Sequence, residues 1–173
     1  MDHYLDIRLL PDPEFPAPIL MNALFAKLHR ALVAQSTTDI GISFPGATPS
    51  HLGGVMRLHG SAARLDTHMD IGAISPVPDA AGHCQVRRVQ SKSSAERLRR
   101  RYLKRHPEVD EETAAQQIPN EAERRLALPY LRIKSSSSDQ QFLLFIQQRP
   151  EVHQQTGDFN SYGLSSTATI PWF

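Results

Sequence analysis

The sequence predicts an α+β protein in two parts, and three observations carry that expectation. Short segments with period-two alternation recur along the chain, as in Leu5, Ile7 and Leu9 set between Tyr4, Asp6 and Arg8. Long 3.6-period stripes also occur, the clearest from Ile19 to Ala34. A turn-forming stretch, Pro78-Asp79-Ala80-Ala81-Gly82, then separates two regions of different character, 1–80 and 81–173. With 173 residues, 40% of them hydrophobic, the chain is long enough for one or two small domains with a real core.

The elements follow in order. Leu5 to Leu9 read as a half-buried strand. Pro11, Pro13, Pro16 and Pro18 make a stiff connection into a helix from about Ile19 to Ala34, whose apolar stripe is Leu20, Met21, Leu24, Phe25, Leu28, Ala31 and Leu32. Ile40, Ile42 and Phe44 form a second strand, Met56 and Leu58 start a third, and Ser61 to Leu65 begin a helix that is cut short. Ile71, Ile74 and Val77 supply a fourth strand, interrupted by Gly72 and closed by Pro76 and Pro78. The order strand, helix, strand, strand, short helix, strand predicts a ferredoxin-like (RRM-like) domain over residues 1–80, with a shortened second helix.

Beyond the junction, Gln85 to Gln90 are strand-like, and a helix rich in arginine follows. An acidic helix is expected around Asp110 to Gln117 and a helical turn at Glu121 to Leu126. Tyr130–Lys134 and Phe142–Ile146 read as a β-hairpin turned by Ser135-Ser136-Ser137-Ser138-Asp139. The chain closes on an apolar end, Ile170-Pro171-Trp172-Phe173.

The charge is strongly polarised. Residues 87–106 hold nine of the 19 Lys and Arg and a single acid, a local charge of +8, while the rest of the chain stands at −7. At about 100° per residue, Arg97, Arg100, Arg101, Lys104 and Arg105 fall within an arc of roughly 140°, and Leu98, Tyr102 and Leu103 lie mostly on the other side. Ser93 or Ser94 can cap this helix, and Pro107 stops it. Solvated helices without a partner interleave both signs, and this one does not. Such a pole is the electrostatic footprint of a protein that grips a phosphate backbone.

Other classes are set aside by composition. No apolar run approaches 18 residues, so no membrane span is expected. Met1 to Arg8 alternate charge with apolar residues and lack the layout of a signal peptide. Cys84 stands alone, which excludes an internal disulfide and suits a reducing cytoplasm. The eight histidines are scattered, with no ligand spacing, so neither a metal nor a cofactor is expected.

RNA can be cut without a metal. A 2′-hydroxyl attacks the adjacent phosphorus, given a general base, in-line geometry and help for the leaving oxygen. Histidine is the usual proton-transfer residue. His29 falls about 40° beyond Phe25 on the helical wheel, at the edge of the apolar stripe, where it is either a boundary residue or a half-exposed base. The serine run either holds a ribose hydroxyl or forms a polar turn. Tyr162 beside Gly163 either reaches a scissile phosphate or packs in the core. Phe142 either stacks a base or belongs to an apolar strand. Arg88 and Gln90, separated by Val89, point to one face of an extended segment, and Arg to guanine and Gln to adenine are the bidentate pairings that geometry allows.

Taken together, these segments resemble a known family. Arg88-Val89-Gln90-Ser91-Lys92-Ser93 with Glu96-Arg97-Leu98-Arg99-Arg100-Arg101 looks like the signature of the CRISPR-associated endoribonucleases that process guide RNA in type I-F systems. Met1 to Leu9, Lys27-Leu28-His29, Tyr162-Gly163-Leu164-Ser165 and Pro171-Trp172-Phe173 are similar to it as well. The resemblance spans most of the chain, although the stretch between Ala62 and Ile71 is shorter than the family's.

The resemblance implies a bacterial cytoplasmic protein that binds the CRISPR repeat stem-loop and cuts precursor crRNA at the 3′ base of the stem. It implies 2′,3′-cyclic phosphate and 5′-hydroxyl ends, no metal, retention of the crRNA, and assembly with other subunits of a type I-F interference complex. By the same resemblance His29, Ser135 and Tyr162 fall on catalytic positions. Arg88 and Gln90 fall on base-reading positions, Phe142 on the stacking phenylalanine, and Arg97, Arg100, Arg101, Lys104, Arg105 and His106 on the helix laid in the major groove. A-form major grooves are deep and narrow, but a short hairpin opens near its ends, so a multi-Arg helix can enter largely through phosphate contacts. Rival readings are a non-catalytic hairpin-binding subunit of the same complex and a DNA-binding regulator.

Overall fold

The computed structural model describes residues 1–68, 73–89, 95–118, 128–134 and 141–173. It is a mixed α+β structure whose described residues build two antiparallel four-stranded sheets. Two compact units emerge from the way the chain packs. One comprises Met1–Val89 with Leu128–Phe173, the other Gln90–Ala127.

In the first unit, β1 (His3–Arg8) leads through the proline-rich connection to α1 (Ala17–Gln35). Pro18 sits in the first turn of α1, where its missing N–H leaves no gap in the ladder. The helix ends at Ser36, whose left-handed backbone (φ 50°) turns its N–H back to Val33 O. Met21, Phe25, Leu28 and Leu32 recur at spacings of three and four and form its buried face.

β2 (Gly41–Ser43), β3 (Val55–Gly60), α2 (Ala62–His68) and β4 (Ile74–Pro76) follow. The strand order is β2-β3-β1-β4, antiparallel throughout, with Asp6 directly opposite Arg57. Two expectations are adjusted. The second helix continues to His68 rather than stopping near Leu65, because Leu65 is fully buried and anchors it. Among the described residues the fourth strand runs from Ile74 to Pro76, short of Val77, and pairs His3 to Leu5 of β1, while Ile71 and Gly72 lie outside the described residues.

The second sheet is larger than the expected hairpin. β6 (Tyr130–Lys134) and β7 (Gln141–Glu151) do pair, and β7 pairs in turn with β5 (Gly82–Val89). The apolar end of the chain adds β8 (Ile170–Trp172) on the far side of β5, giving the order β6-β7-β5-β8. Along the chain, residue 80 thus lies between the two sheets, and both belong to the first unit.

One hydrophobic core serves both sheets. Leu5, Ile42, Met56 and Leu58 of the first sheet belong to the same buried cluster as Val86, Leu131, Leu144 and Ile170 of the second. The packing is close enough that a Cβ on Gly41 would lie 2.6 Å from Ile170 Cγ2. Gln148 of β7 joins the sheets by polar contacts. Its Oε1 accepts from Phe44 N–H at 2.8 Å and its amide donates to Phe44 O at 3.0 Å. Backbone groups just past a short strand are satisfied in this way.

The second unit contains α3 (Ala95–Arg105) and α4 (Glu111–Gln117). Asp110 caps α4 by accepting from Thr113 N–H at 2.7 Å, and that bond holds its carboxyl below the usual range. The helical turn expected at Glu121 to Leu126 lies outside the described residues.

Candidate functional site

Phe25 and His29 stand four residues apart on α1, so they lie one above the other on a single face. Phe25 is fully buried and His29 half-buried. The turn at residues 160–164 covers that face. Tyr162 stacks on the His29 ring with centroids 4.2 Å apart and planes inclined by 14°, and it lies nearly parallel to Phe25 at 6.2 Å. The neighbouring main chain contributes a hydrogen bond of 2.7 Å between His29 Nδ1 and the carbonyl oxygen of Ser161.

That bond sets the chemistry of the ring. A carbonyl only accepts, so Nδ1 must carry the proton, and in the neutral imidazole Nε2 is then left with its lone pair. The arrangement holds an imidazole in one tautomer with a flat aromatic backing, which is what a general base needs.

The turn is held in place by the core. Gly163 adopts φ +68°, and its carbonyl accepts from Ile42 N–H at 3.0 Å. A Cβ at Gly163 would meet Ile42 Cγ2 at 2.7 Å, so this position excludes a side chain on steric and conformational grounds alike.

His59 shows what the other environment does to the same residue type. It is fully buried on β3, hydrogen-bonded through Nε2 to Ser43 Oγ at 2.8 Å. Burial pushes its imidazole down to about 3, helped by the nearby Arg57 guanidinium. Such a histidine stays neutral near neutral pH, and its burial keeps it from a substrate. Arg57 is likewise internal. It forms a two-point ion pair with Asp6 (2.6 and 3.0 Å) and lies against the rings of Tyr4 and Phe173.

On the second sheet, Arg88 is exposed at the end of β5 and its guanidinium lies 5.6 Å from the Phe142 ring centroid. Phe142 is half-buried and packs against the core. Two of the three residues expected to act on bases, Arg88 and Phe142, therefore adjoin each other.

In the second unit Arg100, Arg101, Lys104 and Arg105 are exposed along α3, while Tyr102 and Leu103 are half-buried. Arg99 turns inward and donates from Nε to Ile118 O at 2.8 Å. Arg99, Arg100 and Leu103 line a cleft of about 480 Å³ with Glu111, Glu112 and Ala115 of α4. His106 is exposed, close to Glu108 Oε1 (3.1 Å) and tilted against Tyr102 at 4.5 Å. Gln90, Ser135 and the Arg97 side chain lie outside the described residues.

Among the described residues, no group of three or more His, Cys, Asp or Glu is placed to hold a metal ion, and no helix is long and apolar enough to cross a membrane. Cys84 is buried, and burial pushes its thiol up to about 11, which removes it as a nucleophile at neutral pH.

Comparison with known proteins places the constellation in context. The family model described as CRISPR-associated protein (Cas_Csy4) matches residues 4–173. The chain belongs to the Csy4 family of CRISPR-associated proteins. A family member from Pseudomonas aeruginosa (strain UCBPP-PA14), named CRISPR-associated endonuclease Cas6/Csy4, is 47% identical over 188 residues, with both chains covered in full. One of the same name from Escherichia coli (strain UTI89 / UPEC) is 46% identical over 186 residues, again covering both.

Sequence reasoning picked out His29 and Tyr162 but missed the group that joins them, the Ser161 carbonyl. The only available signal was the turn composition Asn160-Ser161-Tyr162-Gly163, which marks a tight turn without saying what it covers.

Proposed function

We propose that this chain is a metal-independent endoribonuclease that binds the CRISPR repeat stem-loop and cuts precursor crRNA at the 3′ base of the stem. The observation that carries the reading is the His29–Ser161–Tyr162 arrangement in a chain whose relatives are named CRISPR-associated endonucleases. His29 Nε2 takes the proton of the 2′-hydroxyl preceding the cut. The 2′-oxygen attacks phosphorus, and the bond to the 5′-oxygen breaks. The departing oxygen picks up a proton, leaving a 2′,3′-cyclic phosphate and a 5′-hydroxyl.

Tyr162 backs the imidazole, and Ser135 orients the nucleophilic ribose. Arg88 and Gln90 read base edges at the foot of the stem, with Phe142 stacking beneath them. Arg97, Arg100, Arg101, Lys104, Arg105 and His106 engage the hairpin's groove and phosphates. We read the first sheet with α1 and α2 as ferredoxin-like, a reading supported by the strand order β2-β3-β1-β4. After cleavage the protein keeps the crRNA and joins the other subunits of a type I-F interference complex in the bacterial cytoplasm.

The test is incubation with the repeat hairpin in EDTA followed by end-group analysis. A cyclic phosphate and a 5′-hydroxyl are expected, and a single 2′-deoxy nucleotide before the cut should abolish cleavage. Cutting of the deoxy substrate would rule out 2′-hydroxyl attack. Tight binding without any cutting of the all-ribose hairpin would make the chain a non-catalytic hairpin-binding subunit instead.

A further inference from the structure

We infer that Asn160 is a positioning residue that sets the tautomer of His29 and the seat of Tyr162, an inference that rests on His29 being the general base. Asn160 closes the turn from both ends. Its Oδ1 accepts from Tyr162 N–H at 2.9 Å and from Leu164 N–H at 3.2 Å. Its own N–H donates to Leu164 O at 2.9 Å, and its carbonyl accepts from Gly163 N–H at 2.8 Å. The two groups that meet His29, the Ser161 carbonyl and the Tyr162 ring, are both carried on the short segment those bonds define.

The base of the turn has separate support. Phe159 N–H donates to Thr38 O at 2.9 Å, Gly163 O accepts from Ile42 N–H, and Phe159 and Leu164 are buried. The core therefore fixes where the turn leaves and re-enters the fold. Asn160, an exposed residue, fixes through its Oδ1 how Ser161 and Tyr162 are presented. The Oδ1 bond to Tyr162 N–H orients the adjoining Ser161–Tyr162 peptide plane, and the carbonyl of that same plane receives His29 Nδ1–H. Loss of Oδ1 frees that plane to rotate. The carbonyl then no longer enforces the Nδ1–H tautomer, and the fraction of His29 with an open Nε2 falls.

The experiment compares the full-length parent with Asn160→Ala and Asn160→Asp. Three quantities are measured: single-turnover cleavage of the repeat hairpin, hairpin affinity, and the 15N shifts of the His29 ring nitrogens, which report the tautomer directly. Asn160→Ala should slow cleavage by up to about 10²-fold, the scale expected for a misplaced catalytic group. Affinity should stay within a few-fold, and the 15N pattern should move away from the Nδ1–H form. Asn160→Asp keeps an oxygen that accepts both N–H bonds and should restore the rate and the parent 15N pattern. An unchanged tautomer in Asn160→Ala overturns the inference, whatever happens to the rate, as does failure of Asn160→Asp to restore it. His29→Ala tested alongside separates this from the underlying reading. Normal cleavage by that variant removes His29 from the mechanism, while the 15N measurement still judges Asn160 by itself.

Discussion

Under the proposed function, the His29 constellation and the arginine-rich helix solve different physical problems, and they are encoded differently. His29 and the Ser161 carbonyl lie 132 positions apart in sequence, yet meet at 2.7 Å. Arg100, Arg101, Lys104 and Arg105 of α3 are close neighbours in sequence, and their exposure follows from helical geometry. Proton transfer needs one nitrogen placed to within a few tenths of an ångström with its tautomer assigned, which demands a rigid, long-range framework. Attraction to phosphates acts over a Debye length and tolerates mobile side chains, so a local amphipathic helix suffices. Sites built for precision should therefore fail sharply under single substitutions, and sites built for attraction should fail by degrees.

The sharpest test of that contrast is His29→Ala. Removal of a general base should slow cleavage by about 10²–10⁴ while hairpin affinity stays within a few-fold. Rates and dissociation constants measured on the same preparation decide it, and near-normal cleavage would collapse the distinction between the two regions.

Next in size is the combined replacement of Arg100, Arg101, Lys104 and Arg105 by Ala. Affinity should drop steeply, and the dependence of log affinity on log salt should flatten by about one unit of slope for each phosphate no longer neutralised. Cleavage at saturating RNA should change much less. An unchanged affinity and salt slope would show that α3 is not the gripping element. Each single replacement should have only a modest effect, in keeping with a graded surface.

Tyr162 sharpens the comparison from the other side. Its observed contact with His29 is through the ring face. Tyr162→Phe should therefore retain most of the cleavage rate, whereas Tyr162→Ala should lose about tenfold or more. If the Phe variant is as slow as the Ala variant, the hydroxyl itself takes part in the reaction.

The smallest effect concerns acid. His59 is held neutral in the core with its folded value near 3, against an ordinary 6.5. Below 6.5 the unfolded chain binds a proton that the folded chain refuses. The stability contributed by this neutral histidine is complete above about 6.5 and is lost as pH falls from there toward 3. Unfolding midpoints in urea should fall across that window, and His59→Gln should weaken the dependence. A slope unaffected by the substitution would assign the acid sensitivity to other groups. Because His59 belongs to the first unit, acid should disrupt the framework around His29 rather than the charge of α3.

How much could be read beforehand differs between the same two regions. The basic helix was legible because its pattern is local. Charge, periodicity and the stop at Pro107 are all contained in residues 87–107. The helix carrying His29 was legible from Met21, Phe25, Leu28 and Leu32, and the half-buried position of His29 follows from the same wheel. The sequence reading leaves Arg99 unplaced on the wheel of the basic helix, and the structure turns it inward, to Ile118. Arg57 shows the limit of charge counting. It is a cation like the others in sequence, but its cross-strand partner Asp6 and two flanking rings make it internal.

By itself, then, the sequence determined what periodicity and composition can specify: an α+β class, the principal helices, most strands, a one-sided cationic helix, and a family signature spread over the chain. The tertiary structure decided what depends on pairs far apart. The terminal segment Ile170–Trp172 becomes a strand because β5 offers an edge to pair with. The two sheets share one core because both have an apolar face to bury. His29 and His59 are the same residue type on regular elements, and only their surroundings separate a half-buried ring held at Nδ1 by a carbonyl from a neutral core group. Hydrogen bonding and desolvation act over a few ångströms in space, and neither distance is encoded in the spacing of residues along the chain.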